Sequence, residues 1–225
     1  MSTVRELLQR ADVGRLFEFD IGKVVVLDLT AGNAELRSFD ISSPKEFGKY
    51  VQMKMLSIGA SAAIGRYNED RVIYRRSPLF GTERSIHLGI DIFLPAGTKV
   101  LAPLDATIHS VRDNKGFGDY GPTIILQHTF GSLAFYTLYG HLSRGSLIGM
   151  GPGMSVRKGE VIGEIGTPDV NGNWPMHVHF QIIGDMEGRS GDFPGVSSHS
   201  NRAHYLKLCP DPNLILRLDA LDVSS

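Results

Sequence analysis

Cysteine is nearly absent from this chain of 225 residues: Cys209 stands alone, so no disulfide can form within the chain. That agrees with a reducing compartment. An excess of charge of either sign is also lacking. Lys and Arg number 23 against 24 Asp and Glu, a net charge of −1, which leaves no global basic field for nucleic acid or an anionic membrane. No apolar run is long enough to span a bilayer. The first ten residues are charged and lack the apolar core of a signal peptide. The expectation is a cytoplasmic protein with neither nucleic acid nor membrane as partner. HExxH is missing as well, so no helix of that kind sets a glutamate against a metal.

What is present points to short strands. Glycine is abundant, at 26 residues, and suits many tight turns. Val4, Leu7 and Leu8, behind a Ser2 or Thr3 cap, predict a helix over 3–10. The β-branched run 23–29 predicts a strand. Ser43-Pro-Lys-Glu, followed by Phe47, Val51 and Met55 at four-residue spacing, predicts a helix over 43–58. Residues 65–81 are polar and basic and read as a loop. Strands are then expected at 88–93, 98–102, 107–112, 123–128, 134–141, 160–165 and 177–183, a spacing that suits a sandwich or barrel. The stretch after Gly184 reads as a loop to Asn201, and 204–218 as an apolar tail with a short helix. A faint repeat relates Gly97-Thr-Lys-Val to Gly153-Met-Ser-Val, each followed by a turn and a strand. Two halves closing one barrel would explain it.

Three short segments carry the chemistry: His87-Leu-Gly-Ile-Asp91, Tyr139-Gly-His141-Leu142 and His177-Val-His179. Residues two or four apart on a strand share a face, so His87 with Asp91, and His177 with His179, can each project into one groove. Two imidazoles and a carboxylate suit catalytic zinc with a fourth position left open.

HxxxD, YxHL and HxH in this order resemble the lysostaphin/LytM-type zinc endopeptidases, over about residues 84–184. The resemblance implies a mainly β barrel-sandwich, the duplicated hybrid motif. We therefore expect an α/β N-terminal segment over 1–80 and a β domain with a C-terminal tail over 81–225. It implies one Zn2+ per chain, held by His87, Asp91 and His179, with His141 and His177 as catalytic histidines. One ambiguity stays open: His177 and His179 can exchange places at the metal.

Zinc would polarise a scissile carbonyl and acidify its bound water, with a histidine as base. The implied function is hydrolysis of a peptide or amide bond in a peptidoglycan-type or related substrate. Tyr139, two residues before His141, is expected on the same strand face as a substrate-binding group; core packing is the alternative. Trp174 and the loops 116–121 and 169–175 are expected to wall the groove. Asp192-Phe-Pro-Gly195 and Cys209-Pro-Asp-Pro-Asn213 are similar to a peptidase-like domain fused to class-III aminotransferases. That similarity implies a functional link to an aminotransferase or kinase-like protein, and a small amino compound as alternative substrate. A non-catalytic module retaining the fold is the other alternative. Met53-Lys54-Met55 resembles a biotin-attachment tripeptide, but it precedes both repeats and falls in a predicted helix, so Lys54 reads as a surface lysine. Glu160 and Glu164, far from the metal motifs, read as surface charges.

Overall fold

Thr3 begins the first helix by a reciprocal cap. Its side chain accepts from the Glu6 N–H while the Glu6 carboxylate accepts from the Thr3 N–H, which starts α1 (Val4–Arg10). The computed structural model describes residues 3–76, 79–81 and 83–222. Ser2, the other candidate cap, and residues 77–78 of the expected 65–81 loop lie outside them. The second expected helix is α2 (Pro44–Ile58), capped by the Ser43 hydroxyl, opened by proline and ended at Gly59 in the left-handed conformation (φ 63°). Lys54 lies on it and pairs with Glu35 at 3.0 Å, an ordinary surface ion pair.

Twelve strands are described: β1 (Val24–Leu27), β2 (Ala62–Gly65), β3 (Arg84–His87), β4 (Ile90–Phe93), β5 (Lys99–Leu101), β6 (Ala106–Asn114), β7 (Gly121–Phe130), β8 (Leu133–Gly140), β9 (Ser155–Val156), β10 (Val161–Glu164), β11 (Val178–Ile183) and β12 (Val196–Ser198). The fold is mainly β. Eight strands form one sheet in the order β1-β2-β4-β11-β8-β7-β6-β9; β10 pairs with β5, and β12 with β3. The sheet runs on into the N-terminal segment, because β2 pairs with β4 and β1 with β2. The tail carries α3 (Arg202–Leu208) and α4 (Asn213–Leu216).

The faint repeat has a physical basis. The first unit supplies β5 and the start of β6, the second β9 and β10. They pair crosswise: β5 with β10 and β6 with β9. Gly97 and Gly153 both turn with positive φ, at 81° and 86°. Each unit thus completes the other's sheet edge.

Alternation along the central strands splits the buried side chains between two faces. Ile90, Ile92, Tyr139, Val178, Phe180 and Ile182 share one apolar core with the β5 and β10 side chains Val100 and Ile162. On the opposite face, Phe93 packs with Phe47 and Tyr50 of α2, and Leu138 and Ile183 pack with Phe193 and Cys209. Asp91, His179 and Gln181 alternate onto this second face, between those two smaller cores.

Candidate metal centre

Register brings the central pair together. Asp91 on β4 lies directly opposite His179 on β11, and His179 opposite Gly140 on β8. His87 arrives differently. It ends β3, which belongs to another sheet, and the chain breaks at Leu88-Gly89 before β4 begins. The shared strand face expected for His87 and Asp91 is therefore not how they converge: the break folds His87 back over the sheet.

His87 Nε2, His179 Nδ1 and Asp91 Oδ1 lie within 4.8 Å of one another. The edges of this triangle are 3.0 Å between the two nitrogens, 3.3 Å from His87 Nε2 to Asp91 Oδ1 and 3.1 Å from His179 Nδ1 to Asp91 Oδ1. His177 Nε2 stands 3.8 Å from the same oxygen. The rings of His141 and His177 lie against each other, tilted by 37°, with centroids 4.2 Å apart. All five sequence-predicted residues come together, and His141, at 5% exposure, is the most open of them.

Each imidazole has its second nitrogen tied. His87 Nδ1–H donates to Arg66 O at 2.8 Å, His141 Nδ1–H to Asn171 O at 2.8 Å and His177 Nδ1–H to Pro175 O at 2.6 Å. For His179 the partner is Gln181 Oε1, 2.9 Å from Nε2. The other end of that amide, Gln181 Nε2, donates to Pro194 O and Cys209 Sγ. A carbonyl can only accept, so the amide's orientation is fixed and His179 must carry its proton on Nε2. In a neutral His179 ring Nδ1 then presents a lone pair, as Nε2 does in a neutral His87, the two facing each other and a carboxylate oxygen.

The electrostatics fit neutral rings around an ionised carboxylate. Burial, with help from Arg71, pushes the His87 imidazolium down to about 3, against the pull of Asp91. Burial and the neighbouring His177 and His179 hold His141 well below the usual histidine range. Burial alone would raise Asp91, but His87 and Arg71 outweigh it and hold the carboxyl well below its ordinary value. Tetrahedral zinc, with bonds of ~2.0–2.2 Å, needs ligand–ligand edges of roughly 3.3–3.5 Å. The observed triangle is within a few tenths of an ångström of that, so the donor set fits the ion.

Tyr139 does not belong to the site. β8 ends at Gly140 and His141 adopts φ 62°, so the strand alternation that would put Tyr139 beside His141 stops between them. Tyr139 instead faces the apolar core against Phe180, its hydroxyl 2.9 Å from Thr137 Oγ1. Tyr120 takes the place expected of it. Its hydroxyl lies 3.5 Å from His179 Nε2, and its ring centroid is 5.7 Å from that of His141 and 5.1 Å from that of His179. Gly140 and Gly195 make this possible. A Cβ at Gly140 would come within 2.5 Å of Tyr120 Cδ1, and one at Gly195 would strike the Tyr120 hydroxyl.

The cleft above the metal centre encloses about 370 Å³. Trp174 lines it as expected, edge-on to Tyr74 at 6.1 Å, with Phe47, Tyr120 and Phe193 completing an aromatic wall. The 116–121 loop contributes Gly118, Asp119 and Tyr120, and the stretch after Gly184 contributes residues from Arg189 to Val196. The sequence pattern does not single out Tyr120, which sits in a loop expected only to wall the cleft, whereas Gln181 carries a local signal, the extension of the HxH alternation to HxHxQ. The remaining histidines lie elsewhere: His109 beside Tyr136, His128 in the core, His199 near Asp70 and His204 near Glu187. Among the described residues no helix is long and apolar enough to cross a membrane.

The sequence profile of peptidase family M23 matches residues 85–190, the span that holds all five residues of the centre. A curated protein of Haemophilus influenzae, an uncharacterised metalloprotease, is 34% identical over 125 residues, which cover 55% of this chain and 24% of that protein. The chain thus spans about a quarter of the length of the curated relative it matches. Among solved structures it is similar to a zinc-containing peptidase from Vibrio cholerae, with TM-score 0.39 and 25% identity over 52% of this chain and 31% of the other. It is also similar to the catalytic domain of the antimicrobial peptidase lysostaphin from Staphylococcus simulans, with TM-score 0.37 and 23% identity over 54% of this chain and 80% of that one. Over residues 85–190, this chain is similar to peptidase family M23.

Proposed function

We propose that the chain is a zinc-dependent peptidase or amidase, with His87 Nε2, Asp91 Oδ1 and His179 Nδ1 as ligands of a single ion. The observation that carries this is the triangle of lone pairs. Two unprotonated nitrogens 3.0 Å apart, both close to a carboxylate oxygen, repel one another in a buried pocket unless a cation lies between them. When bound, zinc supplies a Lewis acid that polarises the scissile carbonyl and lowers the pKa of its water. The chain's own residues do the rest. His141 and His177 hold their protons on Nδ1, so each offers a free Nε2 to accept a proton from the attacking water and return it to the leaving amine. The Tyr120 hydroxyl, on the cleft side of His179, is placed to donate to the developing oxyanion.

The reading is tested with purified protein. One zinc per chain is expected by elemental analysis, with hydrolysis of peptidoglycan, pentaglycine or a component of a metabolite pool, read by mass spectrometry. A chelator should abolish turnover and zinc should restore it. A folded protein that takes up no zinc would overturn the reading.

A second reading concerns substrate size. Phe47 and Tyr74, from outside the matched span, stand over the centre, and a volume of about 370 Å³ is at the small end of the ~300–1,000 Å³ common for small-molecule sites. This favours a short amide or small amino compound over a crosslinked wall polymer, and the same three-substrate assay separates them. A cytoplasmic location and a link to an aminotransferase or kinase-like protein go with this reading. Recovery of the native protein mainly from the medium or periplasm would count against both.

A further inference from the structure

We propose that Arg71 is the positioning residue of the metal-binding carboxylate: its guanidinium holds Asp91 Oδ2, so that Oδ1 alone is offered to the ion. This rests on the reading of His87, Asp91 and His179 as a metal site. Arg71 precedes the matched span and lies in no sequence motif of the centre, yet it is 0% exposed. Its fork reaches four acceptors. Nη1 donates to Asp91 Oδ2 at 2.5 Å and to Tyr74 Oη at 3.0 Å, Nε to Glu69 Oε2 at 3.0 Å and Nη2 to Arg66 O at 3.1 Å. Arg66 O is also the acceptor for His87 Nδ1–H. One short segment, 66–74, therefore orients two of the three ligands.

The segment itself is anchored. Asn68 N–H donates to His87 O, His87 N–H to Glu69 O and Arg71 N–H to Ser85 O, so it runs alongside β3. Glu69 Oε1 accepts from the Leu29 N–H at 3.1 Å. Gly65, the register partner of Asp91 on β2, leaves the space the guanidinium needs: a Cβ there would lie 2.6 Å from Arg71 Nη2.

A purely structural ion pair would require less. Glu69 by itself supplies the counter-charge that a buried guanidinium demands. The second arm of the fork, on Asp91, adds to that attraction and also fixes which carboxylate oxygen faces the histidines. A planar fork that holds two carboxylates at once in fixed directions is what arginine offers and lysine does not.

The test compares three full-length proteins: wild type, Arg71→Lys and the paired change Glu69→Gln/Arg71→Met. Each is measured for zinc affinity by chelator competition and for the visible spectrum of its cobalt(II)-substituted form. In both variants zinc affinity should fall about 10–100-fold, the usual effect of removing an outer partner of a metal ligand. The cobalt bands should shift and weaken as Oδ2 is released to join the coordination. A folded variant with wild-type zinc affinity and a wild-type cobalt spectrum overturns the proposal while the metal site stands. If the paired variant does not fold, Arg71→Lys decides, since it keeps the charge and loses only the fork. Wild-type protein that takes up neither zinc nor cobalt overturns the metal reading itself, and this proposal with it.

Discussion

The floor of the cleft and its walls are held in different ways. On the floor, Asp91 and His179 sit on strands paired in register on both sides, in a row that runs Gly65, Asp91, His179, Gly140 across four strands. On the walls, Tyr120 and Trp174 hang from loops, and Tyr74 from a single 3-10 turn. Floor residues are fixed by the backbone hydrogen-bond ladder, so their geometry survives many changes around them. Wall residues are fixed by contacts with other wall residues, such as Tyr120 seated against Gly140 and Gly195. The difference predicts that floor substitutions act on metal and chemistry all at once, whereas wall substitutions act in graded steps.

The largest effect should come from the candidate ligands, Asp91 and His179 of the floor and His87 folded over it. His87→Ala or His179→Ala should leave the protein without stoichiometric zinc and without turnover. His141→Ala or His177→Ala should keep the metal and lower turnover about 10²–10⁴-fold, the ordinary worth of a positioned acid or base. Zinc content and hydrolysis measured on the same samples check both statements. Metal loss in the His177 variant with retention in the His179 variant would show that the ligand of the HxH pair is the other histidine.

One step out from the floor, Gln181→Leu removes the acceptor that fixes the His179 tautomer. Zinc affinity should fall about 10–100-fold with the fold intact. A wild-type affinity in this variant would mean that His179 holds its orientation by sheet packing alone.

The two tyrosines then separate wall from core. Tyr120→Phe removes a hydroxyl that faces the centre, and kcat should fall about 10-fold or more, as for a lost hydrogen bond to developing charge. Tyr139→Phe removes a hydroxyl that meets only Thr137 in the core. It should cost about 0.5–1.5 kcal/mol of stability and leave kcat unchanged. Denaturant melts beside steady-state kinetics distinguish the pair, and a kcat loss in Tyr139→Phe would return that residue to the site.

What was legible in the sequence follows the same division. The HxxxD and HxH spacings, the two caps at Thr3 and Ser43 and the period-2 strands are local signals, and the corresponding elements are present. β2, β3, β9 and β12 are not among the expected strands, because strands of two to four residues carry too little alternation to show in sequence. Tyr139 was misplaced because alternation was carried one residue past the end of β8, where His141 turns left-handed. Arg71 was invisible for another reason. Nothing in Glu69-Asp-Arg71 distinguishes a buried clamp from a solvated loop until the fold sets Gly65 and Asp91 beside it. Local pattern thus predicted the floor, and long-range packing decided the walls.

The last effect concerns His128, which does not line the cleft, and it is read as a change of slope with pH. It is 0% exposed, stacks on Phe135 with centroids 4.9 Å apart, and bonds through Nδ1 to Asp105 O at 3.0 Å and through Nε2 to Thr137 Oγ1 at 2.8 Å. Burial, opposed only by the bond to Asp105, pushes its pKa down to about 4. In the unfolded chain the same ring titrates near ~6.5. Between those values the unfolded state binds the proton more readily than the folded one, so stability rises with pH. The contribution of His128 is therefore fully present above pH ~6.5, declines as the pH falls towards 4, and is lost below that. A shift of this size corresponds to about 3 kcal/mol as an order of magnitude. His128→Gln keeps a polar group near Thr137 and cannot take up the proton. Its stability at neutral pH should be lower than wild type, because the ring's packing on Phe135 is gone. Its loss of stability between pH 6.5 and 4 should be smaller than that of wild type. The buried histidines of the metal centre are unchanged in both proteins, so the difference between the two slopes isolates His128. Urea melts across that pH range, in zinc-loaded protein, give both slopes. Equal slopes would mean that the buried His128 ring is reached by solvent and titrates as it does in the unfolded chain.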